Sequence, residues 1–111
     1  MEQKVSKLTD SEFEQMVLSS ETPAVVDFWA TWCAPCRQLD VLLEEMAGAY
    51  DGKVSFFKVD VNESSATTSR YAVRNIPMLL FFNGGEIVDQ AVGSLSKEIL
   101  EEKLDRLLKN A

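Results

Sequence analysis

Cys33 and Cys36 are the chain's two cysteines, set three residues apart in the run Trp32-Cys33-Ala34-Pro35-Cys36. A pair so spaced serves either thiol–disulfide exchange or half of a metal site. A four-ligand zinc site needs two further cysteines or histidines, and the chain holds no third cysteine and no histidine. Only a site shared between molecules would complete it. A purely structural bridge across so short a loop would constrain the unfolded chain little. Redox exchange is therefore the favoured chemistry, with no metal and no cofactor expected.

The position of the pair adds to its spacing. The apolar, strand-like run Ala24 to Ala30 gives way at the cysteines to a helical pattern. Cys33 then falls at a predicted helix N-terminus, where free N–H groups and the helix dipole favour a thiolate. Residues three apart on a helix have Cβ atoms about 5–6 Å apart, and a disulfide wants about 3.5–4.5 Å. A modest adjustment of the first turn closes that gap. Pro35 lies in this turn, where its missing N–H is no loss and its fixed φ stiffens the backbone. Cys33 is expected to be the exposed, attacking sulfur and Cys36, one turn in, the covered, resolving one.

Asp27 is the other residue with chemistry to offer. Strand alternation groups it with Val25 and Trp29 on one face, an expensive place for a charge. It is either exposed or satisfied by backbone donors, or it is functional. If buried, its pKa rises, which suits a proton acceptor near neutrality. With no histidine present, Asp27 is the best candidate to deprotonate Cys36. Lys58, in a neighbouring strand candidate, would moderate that pKa or else simply face solvent.

The elements that must hold these groups alternate along the chain. Thr9 and Glu12 form a candidate capping box, followed by Phe13, Met16 and Val17 at helical spacing. Ala24 to Trp29 reads as a buried strand, and Leu39, Leu42, Leu43, Met46, Ala47 and Tyr50 follow a helical period. Val54 to Val61 is a second central strand. Ser64 to Val73 is expected to be a short helix with Ala66, Tyr71 and Ala72 turned inward. Met78 to Phe82 and Glu86 to Val92 flank Asn83-Gly84-Gly85, a strong hairpin signal. Ser96 caps a last amphipathic helix carrying Leu100, Leu104, Leu107 and Leu108. The expected fold is α/β, a central mixed sheet flanked by helices on both faces, with the Val54 strand parallel to the Ala24 strand and a C-terminal antiparallel hairpin.

A length of 111 residues predicts a single domain over 1–111. Its 46% hydrophobic and 26% charged content is that of a globular protein rather than a disordered one. A net charge of −7 argues against nucleic acid or an anionic membrane as partner. Met1 to Lys7 is polar, with no signal-peptide core or membrane span, so a cytoplasmic location is expected.

The run Val26 to Cys36, then Lys58-Val59-Asp60, Arg74-Asn75-Ile76-Pro77, Asn83-Gly84-Gly85-Glu86 and Val92-Gly93, resembles the thioredoxin family in order and spacing. The resemblance implies the thioredoxin fold and a general protein-disulfide reductase, a monomer acting on disulfide-containing proteins and recharged by a thioredoxin reductase. It also implies a cis Ile76–Pro77 bond facing the dithiol. Trp32, Ala34, Pro35, Ile76, Val92 and Gly93 would form the substrate-binding surface, with the Ile76 backbone pairing an extended substrate segment. Three residues depart from the family pattern: Ala34 replaces a common glycine, Val41 a helix-kinking proline and Met78 a threonine. They bear on redox potential, helix straightness and apolar surface near the dithiol. Two rival functions share the resemblance: an oxidase or isomerase of an oxidising compartment, and a binding subunit whose redox chemistry is incidental.

Overall fold

The computed structural model describes residues 4–111, so the N-terminal reading rests partly on residues 1–3, which lie outside the described ones. The elements in chain order are β1 (Val5–Lys7), α1 (Asp10–Phe13), β2 (Ala24–Trp29), α2 (Ala34–Ala49), β3 (Ser55–Asp60), α3 (Ser65–Arg70), β4 (Met78–Asn83), β5 (Glu86–Val92) and α4 (Lys97–Lys109). The strands form one five-stranded sheet in the order β1-β3-β2-β4-β5. The crossover through α2 makes β3 parallel to β2, and β4 and β5 form the antiparallel hairpin, as expected. The apolar run of β2 is explained by its central place, parallel to β3 on one side and antiparallel to β4 on the other.

Strand alternation sorts the core into two layers. Val25, Phe56, Leu79 and Phe81 meet Leu39, Leu43 and Met46 of α2 and the leucines of α4 on one face. Val26, Phe28, Phe57, Leu80 and Phe82 pack under Phe13, Val17 and Tyr71 on the other. Phe13, Tyr71 and Phe82 stack at ring-centroid distances of 5.5 to 5.9 Å, two of the contacts edge-on. The hairpin closes on Gly84 and Gly85 with φ of 61° and 83°, the left-handed pair that a two-residue type I′ turn requires.

Several local expectations need correction. β1 was not legible, because Val5-Ser6-Lys7 carries one buried apolar residue on a short edge strand. Past Phe13 the first helix widens into a π-helical segment over Glu14–Leu18, closed by the Ser19 N–H on the Glu14 carbonyl at 3.0 Å. The widened turn leaves Val17 buried and Met16 facing solvent. The expected capping box of Thr9 and Glu12 is present: Glu12 accepts the Thr9 N–H at 2.9 Å, and the Thr9 hydroxyl donates to the same carboxylate.

Within α3 it is Thr67 that turns inward and Ala66 that is exposed; its N-cap Ser64 is buried, and beyond its end Ala72 is exposed while Tyr71 is half-buried in the core, as expected. The cause is Asp10, which caps α3 from another element. It accepts the Thr67 N–H at 2.8 Å, the Thr67 hydroxyl at 2.6 Å and the Ala66 N–H at 3.2 Å.

Candidate active site

β2 delivers the chain through the fully buried Ala30 to Cys33, which is the N-cap residue of α2. Its extended backbone leaves the first turn's N–H groups free, and the Cys36 N–H donates to Cys33 Sγ at 3.2 Å. The two sulfurs are bonded, with Cα atoms 5.2 Å apart. Pro35 occupies the first turn, and α2 is continuous through the exposed Val41.

The burial order of the sulfurs is the expected one, but Cys33 is not open. It is 6% exposed and Cys36 1%, both packed with Ala30 against Trp29, Val61 and Ile76. Cys33 Sγ folds over its own helix's first turn, toward the Cys36 N–H and sulfur, and so is recessed.

Around this recess, Trp32 stands 68% exposed, and Ala34, Pro35 and Val92 are exposed too. The Ile76–Pro77 bond is cis, with Ile76 half-buried against the dithiol and Pro77 buried. The Pro77 carbonyl accepts the Gly93 N–H at 2.8 Å, which ties the start of β4 to the end of β5. Met78 is half-buried against the layer holding Phe28 and Leu80, so its apolar surface is only partly offered beside the dithiol.

Beneath Cys36 lies a cavity of about 180 Å³ lined by Asp27, Trp29, Cys36, Arg37, Asp40 and Lys58. Asp27 is 1% exposed, and neither carboxylate oxygen has a hydrogen-bond partner among the described residues. The alternatives of an exposed or backbone-satisfied aspartate are thereby set aside. Burial, reinforced by the negative charge of Asp40 and opposed by the Lys58 ammonium, pushes its pKa up to about 7. The Trp29 Nε1 and Asp40 Oδ1 are likewise without a hydrogen-bond partner.

Lys58 sits opposite Asp27 in the β2–β3 register, as its proposed influence on Asp27 requires. Its Nζ, however, is 3.5 Å from Asp40 Oδ1 and 5.0 Å from the Trp29 ring centroid. Asp40 was missed by the sequence reading. A signal was present: four residues after Cys36, Asp40 shares its face of α2 one turn further on.

The thioredoxin family model matches residues 4–106 of the chain. Thioredoxin 2 of Chlorobaculum tepidum is 44% identical over 105 residues, covering 95% of this chain and 96% of that protein. Thioredoxin of Staphylococcus epidermidis is 47% identical over 104 residues, covering 94% of this chain and 98% of its own length. A chloroplastic M-type thioredoxin of Pisum sativum is 40% identical over 105 residues, where 95% of this chain spans 61% of that longer protein.

Proposed function

The chain belongs to the thioredoxin family, a thiol–disulfide oxidoreductase acting as a protein-disulfide reductase through Cys33 and Cys36, and from that premise we propose how its residues divide the work. Cys33 is the nucleophile, Cys36 the resolving thiol, and Asp27 the proton acceptor. The observation that carries this division is the placement of one sulfur at the start of α2 and the other over a buried carboxylate without a hydrogen-bond partner among the described residues.

The Cys33 thiolate, favoured by the Cys36 N–H and the α2 dipole, attacks one sulfur of the substrate disulfide. That bond breaks, a mixed disulfide forms, and the first substrate sulfur leaves as a thiolate that takes a proton from solvent. Cys36 passes its proton to Asp27 and attacks the Cys33 sulfur. The mixed disulfide breaks, the second substrate thiolate leaves, and the proton on Asp27 returns through the cavity to solvent. Two electrons pass from the dithiol to the substrate, and the Cys33–Cys36 bond remains.

Trp32, Ala34, Pro35, Ile76, Val92 and Gly93 form the docking surface, with Pro77 facing the dithiol and the Ile76 backbone pairing an extended substrate segment. Lys58 moderates Asp27. The partners are disulfide-containing proteins and a thioredoxin reductase that restores the dithiol, and the working form is a monomer of one domain in the cytoplasm. Among the described residues no helix is long and apolar enough to cross a membrane.

Trapping tests the division of roles. Cys36→Ser should accumulate covalent complexes with disulfide proteins, seen as reducible bands on non-reducing gels, and Cys33→Ser should accumulate none. Equal trapping by the two variants would overturn the assignment.

A further inference from the structure

A buried aspartate with an ammonium in register across the sheet would ordinarily be neutralised by it. Here Lys58 makes no ion pair with Asp27 among the described residues, and its ammonium lowers the Asp27 pKa by less than burial and the Asp40 charge raise it. Lys58 Nζ lies between Asp40 Oδ1 at 3.5 Å, an ion pair without a hydrogen bond, and the Trp29 ring at 5.0 Å, and Asp40 is its one ion-pair partner among the described residues. The Asp40 side chain is 36% exposed and that of Lys58 14%, but the Asp40 Oδ1 facing Lys58 is buried, as is Asp27 at 1%.

The other groups around Asp27 bring no second cation to bear on it. On α2, Cys36 carries no positive charge, and Arg37 turns its Nη1 to the Thr31 carbonyl at 2.8 Å. On β2, the Trp29 indole is neutral. On β4, the residue paired with Asp27 is Leu79.

We infer that Asp40 is a positioning residue of the exchange reaction: it holds the Lys58 ammonium away from Asp27 and so leaves the buried carboxylate a strong proton acceptor beneath Cys36. Two effects of Asp40 point the same way. Its own negative charge disfavours a second ionised carboxylate in the cavity, and its ion pair with Lys58 keeps that ammonium from pairing with Asp27, so that Lys58 lowers the Asp27 pKa only as the smallest of the three causes. The consequence for catalysis rests on the reading of Asp27 as the base that accepts the Cys36 proton.

The test follows the Asp27 carboxyl directly by carbon NMR titration of the oxidised protein, and separately the pH profile of mixed-disulfide resolution. In Asp40→Asn the Asp27 midpoint should fall by about one pH unit, since the like charge is removed and Lys58 is released together. Asp40→Glu should restore most of it. The acid limb of the resolution profile should move down by the same amount, and its plateau should fall, because a weaker base then takes the proton. In a Lys58→Met background, Asp40→Asn should shift the midpoint less. An Asp27 midpoint that is unchanged or raised in Asp40→Asn overturns the inference. A midpoint that falls without any change in the resolution profile supports Asp40's hold on Asp27 and overturns Asp27's role as base.

Discussion

Asp27 should lower the stability of the folded protein as pH rises, and Asp27→Asn should abolish that loss. The carboxyl is raised from 3.8 to about 7 by burial first and the Asp40 charge second, so the folded chain holds its proton more tightly than the unfolded chain does. Below the ordinary value both states are protonated and Asp27 is neutral in effect. Between that value and about 7 the unfolded chain has released the proton and the folded chain has not, so stability falls with rising pH. Above the folded midpoint the loss is complete. A rise of roughly three pH units at 1.36 kcal/mol each gives about 4 kcal/mol, of which about 3 kcal/mol accrues between pH 5 and pH 9.

The window is unusually clean, because the chain has no histidine and the oxidised protein has no free thiol. Urea unfolding of the oxidised wild type and Asp27→Asn at pH 5 and pH 9 should show the variant's advantage growing by about 3 kcal/mol at the higher pH. An advantage that stays constant across the range would refute the burial argument, since it would mean that Asp27 titrates alike in both states.

Three further perturbations test other parts of the structure. Gly85→Ala should cost clearly more than Gly84→Ala in urea midpoint. Both have positive φ, but a Cβ on Gly85 would lie 2.8 Å from the Leu18 carbonyl oxygen whereas Gly84 faces open space. Asp10→Ala should cost about 1 kcal/mol near neutral pH, as expected for a lost cap. The Asp10 pKa is lowered by its bonds to Thr67, so the difference from wild type should persist above 3.8 and close as pH falls through the depressed midpoint. Trp32→Ala should raise KM for a folded disulfide protein about tenfold with stability unchanged within about 0.5 kcal/mol, measured by steady-state turnover and urea unfolding.

What could be read in advance divides along physical lines. The central strands declared themselves by near-continuous apolar runs, since β2 and β4 are buried on both faces. The Gly84-Gly85 turn was legible because few residues other than glycine accept its backbone. The first cysteine's place at a helix start followed from the change of pattern at Ala30. By contrast, β1 depends on its pairing with β3, the π-helical turn shifts Met16 outward, and the inward face of α3 is chosen by Asp10, more than fifty positions away. These are tertiary decisions with little local signature.

The site divides the same way. Asp27 was visible as a charge on a buried face, and its partner Lys58 as the cation of the neighbouring strand. Asp40 was not, because an aspartate on the polar side of an amphipathic helix looks like any solvated residue until Lys58 is seen to lean on it. The recess of Cys33 was also missed, because helix-start geometry places the Cα and leaves open where the sulfur turns.

The most direct test of the central claim is an equilibrium redox titration of Cys33 and Cys36 in a defined thiol–disulfide buffer, followed by thiol alkylation and mass. A disulfide reductase requires one reversible two-electron couple in the strongly reducing range, and thioredoxins as a family lie at about −270 mV. A couple near about −120 mV would make the protein an oxidant that forms disulfides, and no reversible couple at all would leave it a binding module; either result contradicts the account.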